Sequence, residues 1–97
     1  MRNKVAVVVH VFYPEIWPEI SNRLLAIKYE YDLYITTTHG LFDEVRRLVV
    51  EDFPDVRFRP FDNLGMDVVP FLLLVPELLR EGYLAVCKLH TKKGQGL

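Results

Sequence analysis

The chain has a single cysteine, Cys87. No disulfide can close within it, and that fits a reducing compartment. No apolar run approaches the ~20 residues of a membrane span. Met1-Arg2-Asn3-Lys4 leads into an apolar run that stops at His10 and Tyr13-Pro14, without the pattern of a secretory leader. The expected location is therefore cytoplasmic. Glycine and proline are sparse, at five and six of 97 residues, while 51% of the chain is hydrophobic. That reads as a globular chain and argues against one that is disordered or of low complexity as a whole. Net charge is only -1, so no global field draws the chain to nucleic acid or anionic lipid. The three histidines show neither His-x-His nor His-x-x-x-His spacing, and no metal site is expected from them. Cys87, inside an apolar run, reads as a small core residue.

What is present alternates. Lys4 to Phe12 is a near-continuous β-branched run, suited to a strand buried on both faces. Pro18 suits a helix start, and Ile16, Ile20, Leu24 and Ile27 recur at helical spacing. Asp32 to Thr38 reads as a second strand. Leu41, Val45, Leu48 and Val49 make the next helical stripe, which Pro54 stops near Phe53. Val56 to Phe61 alternates and contains Pro60, as an edge strand does. A third helix is expected from Val68 to Glu81, capped by Asp67 and closed by Gly82, with Pro76 kinking or dividing it. Leu84 to His90 is the fourth strand.

This alternation predicts an α/β fold: one domain over residues 1–97, with an open parallel sheet of four strands and helices on both faces. Right-handed crossovers give the order 3-2-1-4, a Rossmann-like arrangement. Residues 93–97 continue as a tail without a further element and are expected to be disordered.

Polar residues gather where strands end: His10 after the first, Thr36, Thr37, Thr38 and His39 after the second, Asp62 and Asn63 after the third, Lys88, His90, Thr91 and Lys92 at the fourth. In a parallel sheet these are all carboxyl ends and line one rim, the place where open α/β sheets bind ligands. Gly65 permits a close ligand approach just before a helix start, where free N–H groups attract phosphate. Residues 86–97 carry three lysines and no acid, against nine basic and thirteen acidic groups elsewhere. A basic tip on a nearly neutral chain suits a phosphate or carboxylate ligand, or is a solvated terminus.

Four ordered motifs then resemble one family. They are His10-Val11-Phe12-Tyr13-Pro14-Glu15-Ile16-Trp17-Pro18-Glu19-Ile20, Tyr31-Asp32-Leu33-Tyr34-Ile35-Thr36-Thr37-Thr38, Asn63-Leu64-Gly65-Met66-Asp67-Val68-Val69-Pro70-Phe71-Leu72 and Lys88-Leu89-His90-Thr91-Lys92-Lys93. Together they are similar to the rhamnan synthesis protein F family across almost the whole chain. The resemblance implies synthesis of rhamnose-containing bacterial polysaccharide or lipopolysaccharide, and a piece of a larger multi-domain protein at the inner face of the membrane. It implies the donor-binding part of a glycosyltransferase, taking a nucleotide-diphosphate sugar such as dTDP-rhamnose and working with a glycan acceptor and other domains of its parent. The alternative is a non-catalytic nucleotide- or glycan-binding module. The fold is analogous to the nucleotide-binding half of a GT-A glycosyltransferase, although Lys88-Leu89-His90 stands where many such enzymes carry Asp-x-Asp. In this reading His90 and His10 are the acid–base or phosphate-orienting groups. Thr37, Thr38 and Asn63 contact base or ribose, Gly65 lets the ligand approach, and Lys88 and Lys92 hold the diphosphate. Leu64 and Met66 stand where basic residues are expected in many members, which leaves that loop less cationic. No cofactor is implied.

Overall fold

The structure, a computed structural model, describes residues 3–62 and 68–89. Four strands, β1 (Val5–His10), β2 (Asp32–Thr38), β3 (Arg57–Phe61) and β4 (Ala85–Leu89), alternate with three helices, α1 (Trp17–Leu25), α2 (Phe42–Asp52) and α3 (Val68–Glu81). All strand pairs are parallel, and the order is β3-β2-β1-β4. The α/β fold and strand order expected from the sequence are those observed.

β1 is central because nothing in its run after Val5 needs water: Ala6 to Val9 are buried on both faces. Alternation then divides the core. Val7, Val9, Leu33 and Ile35 face α1 and α2, meeting Trp17, Ile20, Leu24, Val45 and Val49. Ala6, Val8 and Tyr34 face α3, meeting Leu74 and Leu78. Each fully buried Val, Leu or Ile contributes about 1.5–3 kcal/mol, so both layers are needed for a sheet this small.

Local chemistry sets the helix bounds. Pro14–Ile16 form a 3-10 turn and Pro18 sits in the first turn of α1, where no partner is needed for its missing N–H. The stripe expected through Ile16 and Ile27 is shorter in fact. Ile16 belongs to the preceding turn, and Ile27 lies beyond the helix and is exposed. Tyr31 closes the helix early, donating its hydroxyl to the Leu24 carbonyl at 2.7 Å. In α2, Asp43 and Glu44 occupy the first turn and favour its positive dipole end. α3 runs through Pro76 undivided, contrary to one of the expected outcomes there. Gly82, with φ of 76°, closes it in the left-handed region that a side chain disfavours. The Asp67 cap lies outside the described residues.

One core assignment is corrected. Cys87 is exposed. It pairs in register with Val7 on the α1–α2 side, but β4 is an end strand of the described sheet and, among the described residues, no helix covers it there. Among the described residues no helix is long and apolar enough to cross a membrane.

Candidate functional site

The carboxyl ends of the strands form one rim. β1 ends at His10, β2 at Thr38, β3 at Phe61 and β4 at Leu89. The β1–β4 junction is the topological switch, since the chain crosses from one side of β1 to the other.

His10 and Thr36 are register partners on β1 and β2. Both are buried, and His10 Nδ1 lies 2.9 Å from Thr36 Oγ1. That contact fixes the ring plane. Thr38, two residues on, shares their face at the rim and is also buried. Thr37 points to the opposite face. It is fully buried, and its hydroxyl donates to the Val11 carbonyl at 2.7 Å, while Val11 N–H donates to Thr36 O at 2.8 Å. These bonds carry the β1–β2 pairing past the last strand residue. Thr37 therefore acts on the strand end from the α1–α2 side, not from the side of His10.

Lys88 pairs with Val8, one pleat below His10 on the same face. It is half-buried, with Nζ 6.0 Å from the Phe71 ring centroid in the first turn of α3. An ammonium over an aromatic face is stabilised by about 0.5–1 kcal/mol at a partly exposed site. The lysine therefore rests against the helix start. His39 Nε2 and Asp62 Oδ1 approach to 3.7 Å at the outer rim, both well exposed. His90, Asn63, Gly65 and Lys92 lie outside the described residues. Leu89, the residue before His90, pairs with Val9, the residue before His10.

Sequence reading missed what lies beneath α3. Arg57 and Arg59 alternate onto the same face as Tyr34. Arg57 Nη1 donates to the hydroxyls of Tyr34 and Tyr83 at 2.7 and 2.8 Å. Tyr83 donates to Asp32 Oδ2 at 2.6 Å, and Asn3 donates to both oxygens of Asp32. Burial, then the bond to Asp32, pushes the Tyr83 phenol far above its ordinary range. Arg59 forms a two-pronged ion pair with Glu77 of α3 and stacks 5.6 Å over Tyr34. The Arg59 bond holds the Glu77 carboxyl below the usual range. The V-R-F-R alternation placed both arginines on one face, but nothing local named the tyrosines they meet 23–26 residues away.

A separate cleft of about 710 Å³ opens at the amino edge of β2 and β3, lined in part by Tyr29, Glu30, Asp32, Pro54, Asp55 and Arg57. It is at the opposite end of the sheet from the rim, and its Asp32 and Arg57 are engaged internally. Among the described residues no group of three or more His, Cys, Asp or Glu side chains could hold a metal ion.

The profile of the family described as rhamnan synthesis protein F matches residues 1–97. Two curated relatives, each called uncharacterized protein WxcX, come from Xanthomonas campestris pv. campestris, strains B100 and ATCC 33913. Each is 31% identical over 87 residues, which is 90% of this chain and 12% of the relative. The chain thus spans about an eighth of the length of the curated relatives it matches. No solved structure matches.

Proposed function

Since the chain belongs to the rhamnan synthesis protein F family, we propose that its carboxyl rim binds the nucleotide-diphosphate sugar of a glycosyltransferase that builds rhamnose-containing polysaccharide or lipopolysaccharide. The observation that carries this reading is one juxtaposition. His10, Thr36, Thr38 and Lys88 share a face at the β1–β4 switch, beside the first turn of α3. A diphosphate there meets an ammonium, and a helix start that favours anions. His10 orients a phosphate oxygen or moves a proton, its ring already set by Thr36. His90, Asn63, Gly65 and Lys92 complete the same rim in this proposal. Thr37 supports the end of β1 from below.

The chemistry asked of the site is stabilisation of a leaving nucleoside diphosphate by fixed cations. No step needs a carboxylate pair at the end of β4, where the sequence has Lys88-Leu89-His90. That same departure from Asp-x-Asp favours a second reading, in which the domain binds nucleotide or glycan without catalysing transfer. The parent polypeptide, its acceptor and its place at the inner membrane face belong to the proposal as well.

Thermal melting of the chain with a panel of nucleotide-diphosphate sugars tests the site. A ligand at 100 times its dissociation constant adds about 2.7 kcal/mol. dTDP-rhamnose is expected to raise the melting temperature with chelator present, and Lys88→Met to abolish the rise at equal concentration. No stabilisation by any nucleotide sugar overturns the donor-site reading. Binding without sugar transfer by the parent protein selects the second reading.

A further inference from the structure

The side of α3 that meets the sheet is one stripe, Phe71, Leu74 and Leu78, spaced i, i+3 and i+7. Leu74 and Leu78 are buried with Ala6, Val8 and Tyr34, and Phe71 packs partly buried against that layer. α3 returns the chain from the carboxyl rim to the start of the parallel strand β4. Phe71 is therefore the member of the stripe nearest the rim. Lys88 enters the same layer from the sheet. Its register partner Val8 is 1% exposed, and its own side chain is half-buried. Lys88 Nζ lies 6.0 Å from the Phe71 ring centroid. Two positive features thus meet at one place. The amino end of a helix carries partial positive charge and favours anions. An ammonium beside the first turn works against that charge until an anion joins them. The face of an aromatic ring is negative and offsets part of the cost. A leucine, as at the other two stripe positions, fills space and offers an ammonium nothing.

We propose that Phe71 is a positioning residue: its ring face holds the Lys88 ammonium beside the start of α3, so that lysine and helix act on one anion. The inference rests on the donor-site reading of the rim and names the group that aims its cation. In this role Phe71 contacts neither phosphate nor sugar and acts through Lys88. Without the ring, the flexible four-carbon stem carries its charge away from the helix start. The site then loses affinity and keeps its shape.

Calorimetric titration of the 97-residue chain with dTDP-rhamnose tests this, using three replacements of the ring. Phe71→Leu removes it. Phe71→Tyr keeps its negative face. Pentafluorophenylalanine at the same position keeps the shape and reverses the sign of that face. The contact is expected to change the dissociation constant by about two- to fivefold. The leucine and pentafluoro chains should bind more weakly by that factor, and the tyrosine chain should match wild type. In the free protein, NMR should place the Lys88 ε-methylene protons upfield in wild type and the tyrosine chain. In the other two chains these signals should move toward those of solvated lysines. Wild-type affinity in the pentafluoro chain overturns the proposal and leaves the donor site standing. Weaker binding by the leucine chain with the Lys88 signals unmoved also overturns it, since the loss is then one of packing. Absence of nucleotide-sugar binding by wild type overturns the donor-site reading itself, and this inference with it.

Discussion

His10 Nδ1 and Thr36 Oγ1 meet at 2.9 Å across neighbouring strands, both side chains buried. Thr36→Val keeps the β-branched shape and removes the hydroxyl. A buried polar group that loses its partner costs about 1–3 kcal/mol. Urea unfolding is expected to show a loss in that range, and the His10 ring resonances in NMR to shift as its plane is released. An unchanged midpoint and unchanged ring signals would show that the contact does no positioning.

Asp52 Oδ2 accepts from Trp17 Nε1 at 3.1 Å and Ser21 Oγ at 2.6 Å, joining the end of α2 to α1. Asp52→Ala strands a nearly buried indole N–H. The expected cost is about 1–3 kcal/mol. Trp17 is the chain's one tryptophan, so a red shift of the emission maximum reports loosening of the α1–α2 contact directly.

Tyr83 titrates late because burial and its bond to Asp32 favour the neutral phenol. A folded pKa above the unfolded one means stability present in full below the unfolded value, about 10, and lost progressively above it. Wild type should therefore lose stability as pH rises beyond ~10, and Tyr83→Phe should lose less over the same interval. Denaturant midpoints from pH 8 upward check this. Parallel curves for the two proteins would remove Tyr83 from the account.

Glu77 has the opposite sign. Its pKa is lowered by Arg59, so the contribution is present above the ordinary glutamate value near 4.3 and disappears as pH falls through the lower folded value. The pair is partly solvated, and about 1 kcal/mol is a reasonable size. Glu77→Gln should be less stable than wild type at pH 7 by that amount, with the gap closing in acid. A gap independent of pH would assign the effect to packing.

The sheet was legible because each strand has its own signature. The β-branched run of β1, the Leu-Tyr-Ile and three-threonine run of β2 and the proline of β3 each decide a position without reference to neighbours. Gly82 likewise marked the end of α3. Cys87 misled because an apolar strand residue is buried only if something covers it, and strand order alone does not say what lies over an edge. Ile27 misled because helical spacing continued past the point where Tyr31 takes the Leu24 carbonyl. At the rim, His10, Thr38 and Lys88 were readable as strand-end residues. That Thr37 turns away from them follows from strand alternation, but its bond to Val11 required the fold. The Tyr34–Tyr83–Arg57–Asp32 cluster joins residues up to 51 positions apart, beyond any local pattern.

The central place of β1 has a consequence for synthesis. Val5–His10 is translated long before Ala85–Leu89, yet the two pair directly. At roughly 5–20 residues per second, one backbone edge of the most apolar strand waits several seconds on the ribosome after β2 has closed the other. Until β4 emerges only three strands are available, and β1, an interior strand of the finished sheet, has one edge still waiting for its partner. Holding chaperones are expected to act at that stage, and mutations that weaken β4 should lower the yield of folded protein more than they lower its melting temperature.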